Sequence, residues 1–372
     1  MSSFSSSYDR IDVHSHFLPP FYRDELAQNG HSNPDGMPAI PEWDLPTHLA
    51  LMARLHITKS ILSISSPGTY LTASTPPAAA ADLTRRTNAY AALLKQQEPA
   101  RLGFWASLPL PAVPETLAEI DSALADGADG FVLLSSAHGQ YAGDGALDAV
   151  FARLDARGAT LFIHPTTPCG EDGGSAAPLA SRGYPNPMFE FMFETGRAVA
   201  QLFLSGAVAR FPRLQFVIPH AGGAVPGILN RVVGFAGVVP GPGKGLEVQD
   251  VREAMRTRFW FDLAGIVWSD EGQGKGKGEG GVGIEGDVPN NQLQGLLSGC
   301  GVGPDRLLYG SDYPFTPEAS VVRLAEVMEV GLEAMFSKKE VGRILSGNAE
   351  AFLKEIGEAR KEVLGDGVAD GV

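Results

Sequence analysis

The chain alternates between two kinds of apolar patterning. Short runs rich in β-branched and aromatic residues fall at 10–14, 59–64, 102–108, 130–135, 160–164, 215–220, 259–264 and 307–312. Their length and composition predict buried strands. Between most of them lie Ala- and Leu-rich segments with helical periodicity, clearest at 77–97, 114–125, 146–157, 187–209, 223–234 and 318–335. Several of these open on Pro, which suits the first turn of a helix. Strands alternating with helices predict a parallel sheet, and eight such units predict an α/β fold of the (β/α)8 TIM-barrel type. An open doubly wound sheet is the alternative arrangement.

Two insertions interrupt the alternation. Residues 17–49, after the first strand, carry Phe17, Phe21, Tyr22 and Trp43 among Pro and Gly. A long loop of this kind forms either part of a substrate pocket or a cover over the barrel mouth. Residues 269–287, after the seventh strand, are a Gly, Lys and Glu tract too polar to pack. Its Gly-Lys pairs do not form a phosphate-binding loop, because Gly278 follows Lys277 where Ser or Thr is required. The chain divides into a flexible start at 1–7, one barrel at 8–356 and a charged tail at 357–372.

The sequence has 372 residues, 44% of them apolar, enough for one large core. Its net charge of −14 argues against nucleic acid, which needs a basic face. An anionic substrate would need a local positive centre. Cys169 and Cys300 have neither metal-ligand nor redox spacing, which suits a reducing compartment. The Ser-rich start lacks the apolar core of a secretory signal, and no apolar run is long enough to span a membrane. A cytoplasmic location is expected.

In such a barrel, functional side chains sit at the C-terminal ends of strands. The first strand ends in His14-Ser15-His16, and residues two apart on a strand share a face. The fifth, sixth and eighth runs close on His164, His220 and Asp312. Several histidines and a carboxylate on one predicted rim point to a metal site, since imidazole and carboxylate are the usual ligands of zinc-like ions. A single strand-end His is more often structural.

The motifs His-Ser-His, His164-Pro, His220-Ala-Gly-Gly and Gly-Ser-Asp312-Tyr-Pro together resemble the amidohydrolase superfamily over about residues 8–356. They are most similar to its branch of aminocarboxymuconate semialdehyde and salicylate-type decarboxylases. The opening His-Ser-His-Phe-Leu-Pro-Pro-Phe-Tyr resembles the fungal 6-methylsalicylate decarboxylases. The resemblance implies that His14, His16, His164 and Asp312 hold one divalent ion, Zn²⁺ or else Mn²⁺, with His220 as a catalytic residue beside it. It also implies a homodimer or higher oligomer. Binuclear relatives use a carboxylated Lys at the end of strand 4. No Lys occurs here between Lys95 and Lys244, so a mononuclear centre follows.

The implied reaction is non-oxidative decarboxylation of an ortho-hydroxy aromatic acid, with 6-methylsalicylate giving 3-methylphenol and CO₂. Asp312 or His220 would supply the proton. Arg231, eleven residues after His220, matches an arginine that relatives lend to a neighbouring subunit's site. The second arginine of semialdehyde decarboxylases is missing before Trp43, which argues for a monocarboxylate. A helix-surface ion pair is the plain alternative for Arg231. His138 is a candidate substrate contact, and Phe189, with Phe191 and Phe193, a candidate apolar wall for a ring methyl. His31, His48 and His56 fall in loops or on helix faces and are expected at the surface. A metal-dependent hydrolase of a lactone or amide, a decarboxylase of another acid such as the semialdehyde, and a non-catalytic binding barrel are the competing functions.

Overall fold

The computed structural model describes residues 6–169, 182–239, 243, 245–268 and 291–366, with side chains through 358 apart from that of 291. The insertion at 269–287 lies outside the described residues.

All eight runs form strands: β1 (Arg10–His16), β2 (Ile57–Ser63), β3 (Leu102–Ser107), β4 (Gly130–Leu134), β5 (Thr160–His164), β6 (Gln215–Ile218), β7 (Phe259–Asp262) and β8 (Leu307–Leu308). They pair in chain order and in parallel. A bridge between Asp12 and Tyr309, with Val13 N donating to Tyr309 O at 3.1 Å, brings the first strand against the last. Closure makes this a barrel and removes the open-sheet alternative. A hairpin of Ser136–Ala137 and Gln140–Tyr141 follows β4.

The side-chain period of two sorts each strand into an inner and an outer row. One apolar cluster takes Ile11 and Val13, Ile61, Trp105, Val132, Phe162, Val217, Trp260 and Leu308, so all eight strands contribute to it. Phe352 and Ala349, from the helix Asn348–Asp366, join that cluster. The opposite row, with Leu62, Phe104, Phe131, Leu161, Phe216, Phe259 and Leu307, belongs to the larger core shared with the helices.

Several boundaries differ from the pattern-based ones for local reasons. β6 stops at Ile218 and β8 at Leu308, short of His220 and Asp312, and both of those residues have left-handed backbone, with φ of 54° and 57°. That conformation ends regular pairing. The segment 187–209 is not one helix. A single turn at Asn186–Met188 precedes Glu190–Leu204, and Gly206 at φ 73° separates it from Ala207–Arg210.

The strand 1 insertion holds the helix Pro20–Gln28, a turn at Pro34–Gly36 and the start of the helix Leu45–Arg54. Phe17, Tyr22 and Trp43 are buried in the larger core, so these aromatics act as cover. No described helix is long and apolar enough to cross a membrane.

His48 is a correction: it is buried, not at the surface. Trp43 Nε1 donates to His48 Nδ1 at 3.3 Å, and Ser60 Oγ lies 3.1 Å from Nε2. Accepting at Nδ1 leaves the proton on Nε2, so the ring is neutral and donates to Ser60. His48 shares the buried face of its helix with Leu51 and Met52, three and four residues on, and the insertion closes Trp43 over it. Burial pushes the His48 pKa down to about 4. The unfolded chain then binds a proton that the folded chain refuses, so stability is lost as pH falls from about 6.5 toward 4. At pH 5 the loss from this residue should be about 2 kcal/mol. Urea denaturation at pH 7 and pH 5 should show a smaller acid loss for His48→Gln than for the parent. Equal losses would mean that His48 is protonated without strain.

Candidate metal centre

Four side chains converge at the C-terminal mouth. The ligating atoms of His14, His16, His164 and Asp312 all lie within 4.8 Å of one another. His14 Nε2 is 3.2 Å from His16 Nε2, and Asp312 Oδ1 is 3.1 Å from His16 Nε2 and 3.5 Å from His14 Nε2. Register between β1 and β2 slips between Asp12 and Ser15, a local irregularity beside His14. Such a bulge re-aims the side chains next to it.

The outer nitrogens are each engaged. His14 Nδ1 meets Asp262 Oδ2 at 3.0 Å, His16 Nδ1 meets Ser63 Oγ at 3.1 Å, and His164 Nδ1 meets Pro165 O at 2.7 Å. A His that donates from Nδ1 to a carboxylate or carbonyl presents an unprotonated Nε2 to the centre. Three such nitrogens and one carboxylate form a donor set that fits a zinc-like divalent ion and leaves a position open. All three rings are fully buried or nearly so.

Electrostatics sets what a cation must displace. Burial disfavours charge on His14, but Asp262 and Asp312 outweigh it and hold the ring up to about 10, so an ion bound at Nε2 would displace a proton from it. Burial holds His16 below its ordinary value, and His164 well below it. Burial would raise Asp312, yet its bonds to His14 and His16 hold it well below the usual carboxylate range. The pocket thus carries negative charge facing imidazoles, which a cation would neutralise.

His220 stands beside this group. Its ring centroid is 5.1 Å from that of His14. Its backbone N–H donates to Asp262 Oδ1 at 3.1 Å, its carbonyl accepts from Gln292, and its buried Nδ1 has no hydrogen-bond partner. Burial, then the nearby His14, pushes its pKa down to about 4, so the ring is neutral.

The other candidates lie elsewhere. His138, at φ 47°, bonds Tyr70 O through Nε2 at 2.9 Å on the rim over β2–β5. Phe189 is exposed and packs against Phe193 at 4.7 Å. Phe191, by contrast, is buried, with its ring 6.0 Å from that of His164. Arg231 is exposed on the helix Val225–Ala236, its guanidinium 4.3 Å over the Phe235 ring.

Pattern reading passed over Asp262. It is fully buried and closes Phe259-Trp-Phe-Asp262. The strand-end rule that singled out His164 would have found it. Asp12 was missed too: its Oδ1 accepts from the backbone N–H groups of His14 and Ser311, both at 3.1 Å, tying β1 to the segment that bears Asp312.

Comparison with known proteins agrees over most of the chain. The amidohydrolase family model matches residues 11–354. A 6-methylsalicylic acid decarboxylase of Aspergillus aculeatus is 32% identical over 330 residues, covering 86% of this chain and 88% of its own. A 6-methylsalicylic acid decarboxylase of Penicillium expansum is also 32% identical, covering 86% of this chain and 89% of its own. Among solved structures, a protein described as amidohydrolase II superposes with a TM-score of 0.77 at 28% identity, covering 93% of this chain and 100% of its own. The 5-carboxyvanillate decarboxylase of Novosphingobium aromaticivorans, solved with manganese, superposes at a TM-score of 0.71 and 22% identity over 94% of this chain and 96% of its own, a likeness of fold. With eight parallel strands closed into a barrel, its histidines gathered at one mouth and a family match from the first strand to the last helix, this chain belongs to the amidohydrolase family.

Proposed function

We propose that the chain is a metal-dependent, non-oxidative carboxy-lyase acting on an ortho-hydroxy aromatic acid, with 6-methylsalicylate, giving 3-methylphenol and CO₂, as its leading substrate. The observation that carries this reading is the convergence of His14, His16, His164 and Asp312. The near full-length likeness to fungal 6-methylsalicylic acid decarboxylases supports the choice of reaction.

In this reading those four residues hold one divalent ion, Zn²⁺ or Mn²⁺. The ion, when bound, would supply positive charge that attracts the acid and stabilises the phenolate of its ortho hydroxyl. The phenolate pushes electrons into the ring, and the carboxyl-bearing carbon takes a proton. The bond to the carboxyl group then breaks. CO₂ leaves, its bonding pair returns to the ring, and aromaticity is restored.

The chain's part is to deliver and recover that proton. His220 is neutral, adjoins His14 and has a free Nδ1. Asp312 is already committed to His14, His16 and Thr316. That difference favours His220: neutral, it can take the phenolic proton as the phenolate forms and then, as imidazolium, give it to the ring carbon. His220→Ala should keep the metal and lose activity by about 10²-fold or more. Metal analysis of the variant decides it, since an empty site would make His220 a ligand instead.

The active unit is at least a homodimer, in which Arg231 approaches a neighbour's pocket. Its exposure, and that of Phe235 and Phe189, supports this. Mixing Arg231→Ala chains with inactive Asp312→Ala chains should restore some activity through one intact hybrid site. No recovery despite demonstrated subunit exchange would return Arg231 to a surface role. The whole reading is tested by CO₂ release from 6-methylsalicylate, salicylate and 2-methylbenzoate on metal-loaded protein. The first should react fastest, salicylate about 10- to 200-fold slower, and 2-methylbenzoate not at all. Preferential turnover of a lactone, an amide or a semialdehyde dicarboxylate would overturn it.

A further inference from the structure

Glu194 is a fully buried carboxylate that the reaction above does not use. It lies on the helix Glu190–Leu204, on the same buried side as Phe191, Ala198 and Val199. A charge in such a place must be paired, and this one is. Its Oε1 accepts from the Tyr141 hydroxyl at 2.9 Å and from the guanidinium of Arg197, a half-exposed side chain. Its Oε2 accepts from Ser135 Oγ at 3.3 Å and from Tyr141 at 3.1 Å. Packing alone would be served as well by an apolar residue. What a carboxylate adds is its effect on the hydroxyl of Ser135.

A carboxylate only accepts, so the Ser135 proton points at Glu194. The oxygen of that hydroxyl is then left to accept the backbone N–H of Thr166, 3.2 Å away. Ser135 also donates its own N–H to His164 O at 2.7 Å, so it grips the segment 164–166 at two points. The Thr166 N–H and the Pro165 carbonyl belong to one peptide plane and point in opposite directions. Holding the first aims the second. The Pro165 carbonyl is the group that meets His164 Nδ1 at 2.7 Å. Hydrogen bonds in such a chain polarise one another, so a carboxylate at its far end strengthens the acceptor at the near one.

We propose that Glu194 is a positioning residue of the metal centre. Acting through Ser135 and the Pro165–Thr166 peptide, it keeps the His164 proton on Nδ1 and leaves Nε2 bare and aimed at the ion. A carboxylate set directly behind a ligating imidazole does the same. Here one hydroxyl and one peptide stand between the two. The inference rests on His164 being a metal ligand, as read above, and does not depend on the substrate.

The test is Zn²⁺ affinity, titrated by calorimetry into the metal-free full chain, with thermal unfolding of each metal-free variant as the check on folding. In Glu194→Gln, Arg197 can only donate and will hold the amide oxygen, so the NH₂ group faces Ser135. The Ser135 proton then loses its acceptor, and its oxygen is shared between two donors. Zn²⁺ should bind about 10-fold more weakly. Ser135→Ala should weaken it about as much. Tyr141→Phe takes a hydroxyl from the same carboxylate but not from the path to His164, and should bind Zn²⁺ as the parent does. The double variant Glu194→Gln, Ser135→Ala should bind no more weakly than Ser135→Ala alone, because a path cut once cannot be cut again. If Glu194→Gln does not fold, the contrast between Ser135→Ala and Tyr141→Phe decides the matter by itself. Parental affinity in Ser135→Ala, equal weakening in Tyr141→Phe, or additive losses in the double variant would each overturn the path and spare the metal reading. Zn²⁺ binding that survives His164→Ala would overturn the metal reading, and the path with it.

Discussion

Asp312→Ala and His164→Ala should each empty the metal site and abolish CO₂ release together. Each change removes one of four donors from a cluster whose ligating atoms sit within 4.8 Å of one another. For Asp312 the loss is larger than one donor, because its carboxylate is also the negative charge that His14 and His16 face. Loss of an outer partner of a ligand typically costs 10–100-fold in metal affinity, and loss of a ligand itself should exceed that range. Elemental analysis and activity, read on the same preparations, check it. Full activity in either variant shown to be metal-free would sink the metal assignment.

Asp262→Asn is expected to be nearly as damaging, although Asp262 is not among the four converging ligands. Its Oδ1 accepts the backbone N–H of His220 and of Ala264, at 3.1 and 3.0 Å. Two N–H donors will hold the amide oxygen of Asn in that place, so the NH₂ group must face His14 Nδ1. A donor there moves the His14 proton to Nε2, toward the metal position. An analogous carboxylate-to-amide change at a protease triad, which leaves the wrong tautomer, lowers kcat by about 10⁴-fold. Here metal affinity should weaken by about 10–100-fold. Activity at saturating metal should fall by about 10²-fold or more, since the neutral amide no longer supplies the charge and the acceptor that face His14 Nδ1. Titration of the metal-free variant with Zn²⁺ and with Mn²⁺ measures the first effect. An affinity equal to that of the parent would leave Asp262 a purely structural group.

The strands were legible because each closes an apolar run, and their number decided the architecture. The histidines that gather at the mouth were legible for the same reason. His14, His16 and His164 end strands, and that is where a barrel places its chemistry. Relations between distant residues were not legible. Asp262 shares its run with Phe259, Trp260 and Phe261, yet its partner His14 lies 248 positions away. The burial of His48 could have been read from its spacing of three and four to Leu51 and Met52, whereas its partners Trp43 and Ser60 could not. The run 187–209 looked like one helix because its apolar period continues past Gly206, whose left-handed backbone breaks it. Exposure was equally hidden. Phe189 and Arg231 read as pocket candidates, yet in the single chain both side chains face outward.

The contact between β1 and β8 has a further consequence. β8 contributes only two residues of regular strand, and the seam rests on the Asp12–Tyr309 bridge with the backbone bonds of Val13, Ser311 and Asp312 to the facing chain. His14 and His16 come from one side of that seam and Asp312 from the other. An ion held by all three is therefore a clasp between the two ends of the barrel wall. Its binding energy is added to the work of parting the wall, by an amount that grows with free ion concentration. Amide hydrogens of Val13, His16, Ser311 and Asp312 should accordingly exchange faster in chelated protein than in loaded protein. The interior of β3 and β4, on the opposite wall, should exchange at nearly the same rate in both.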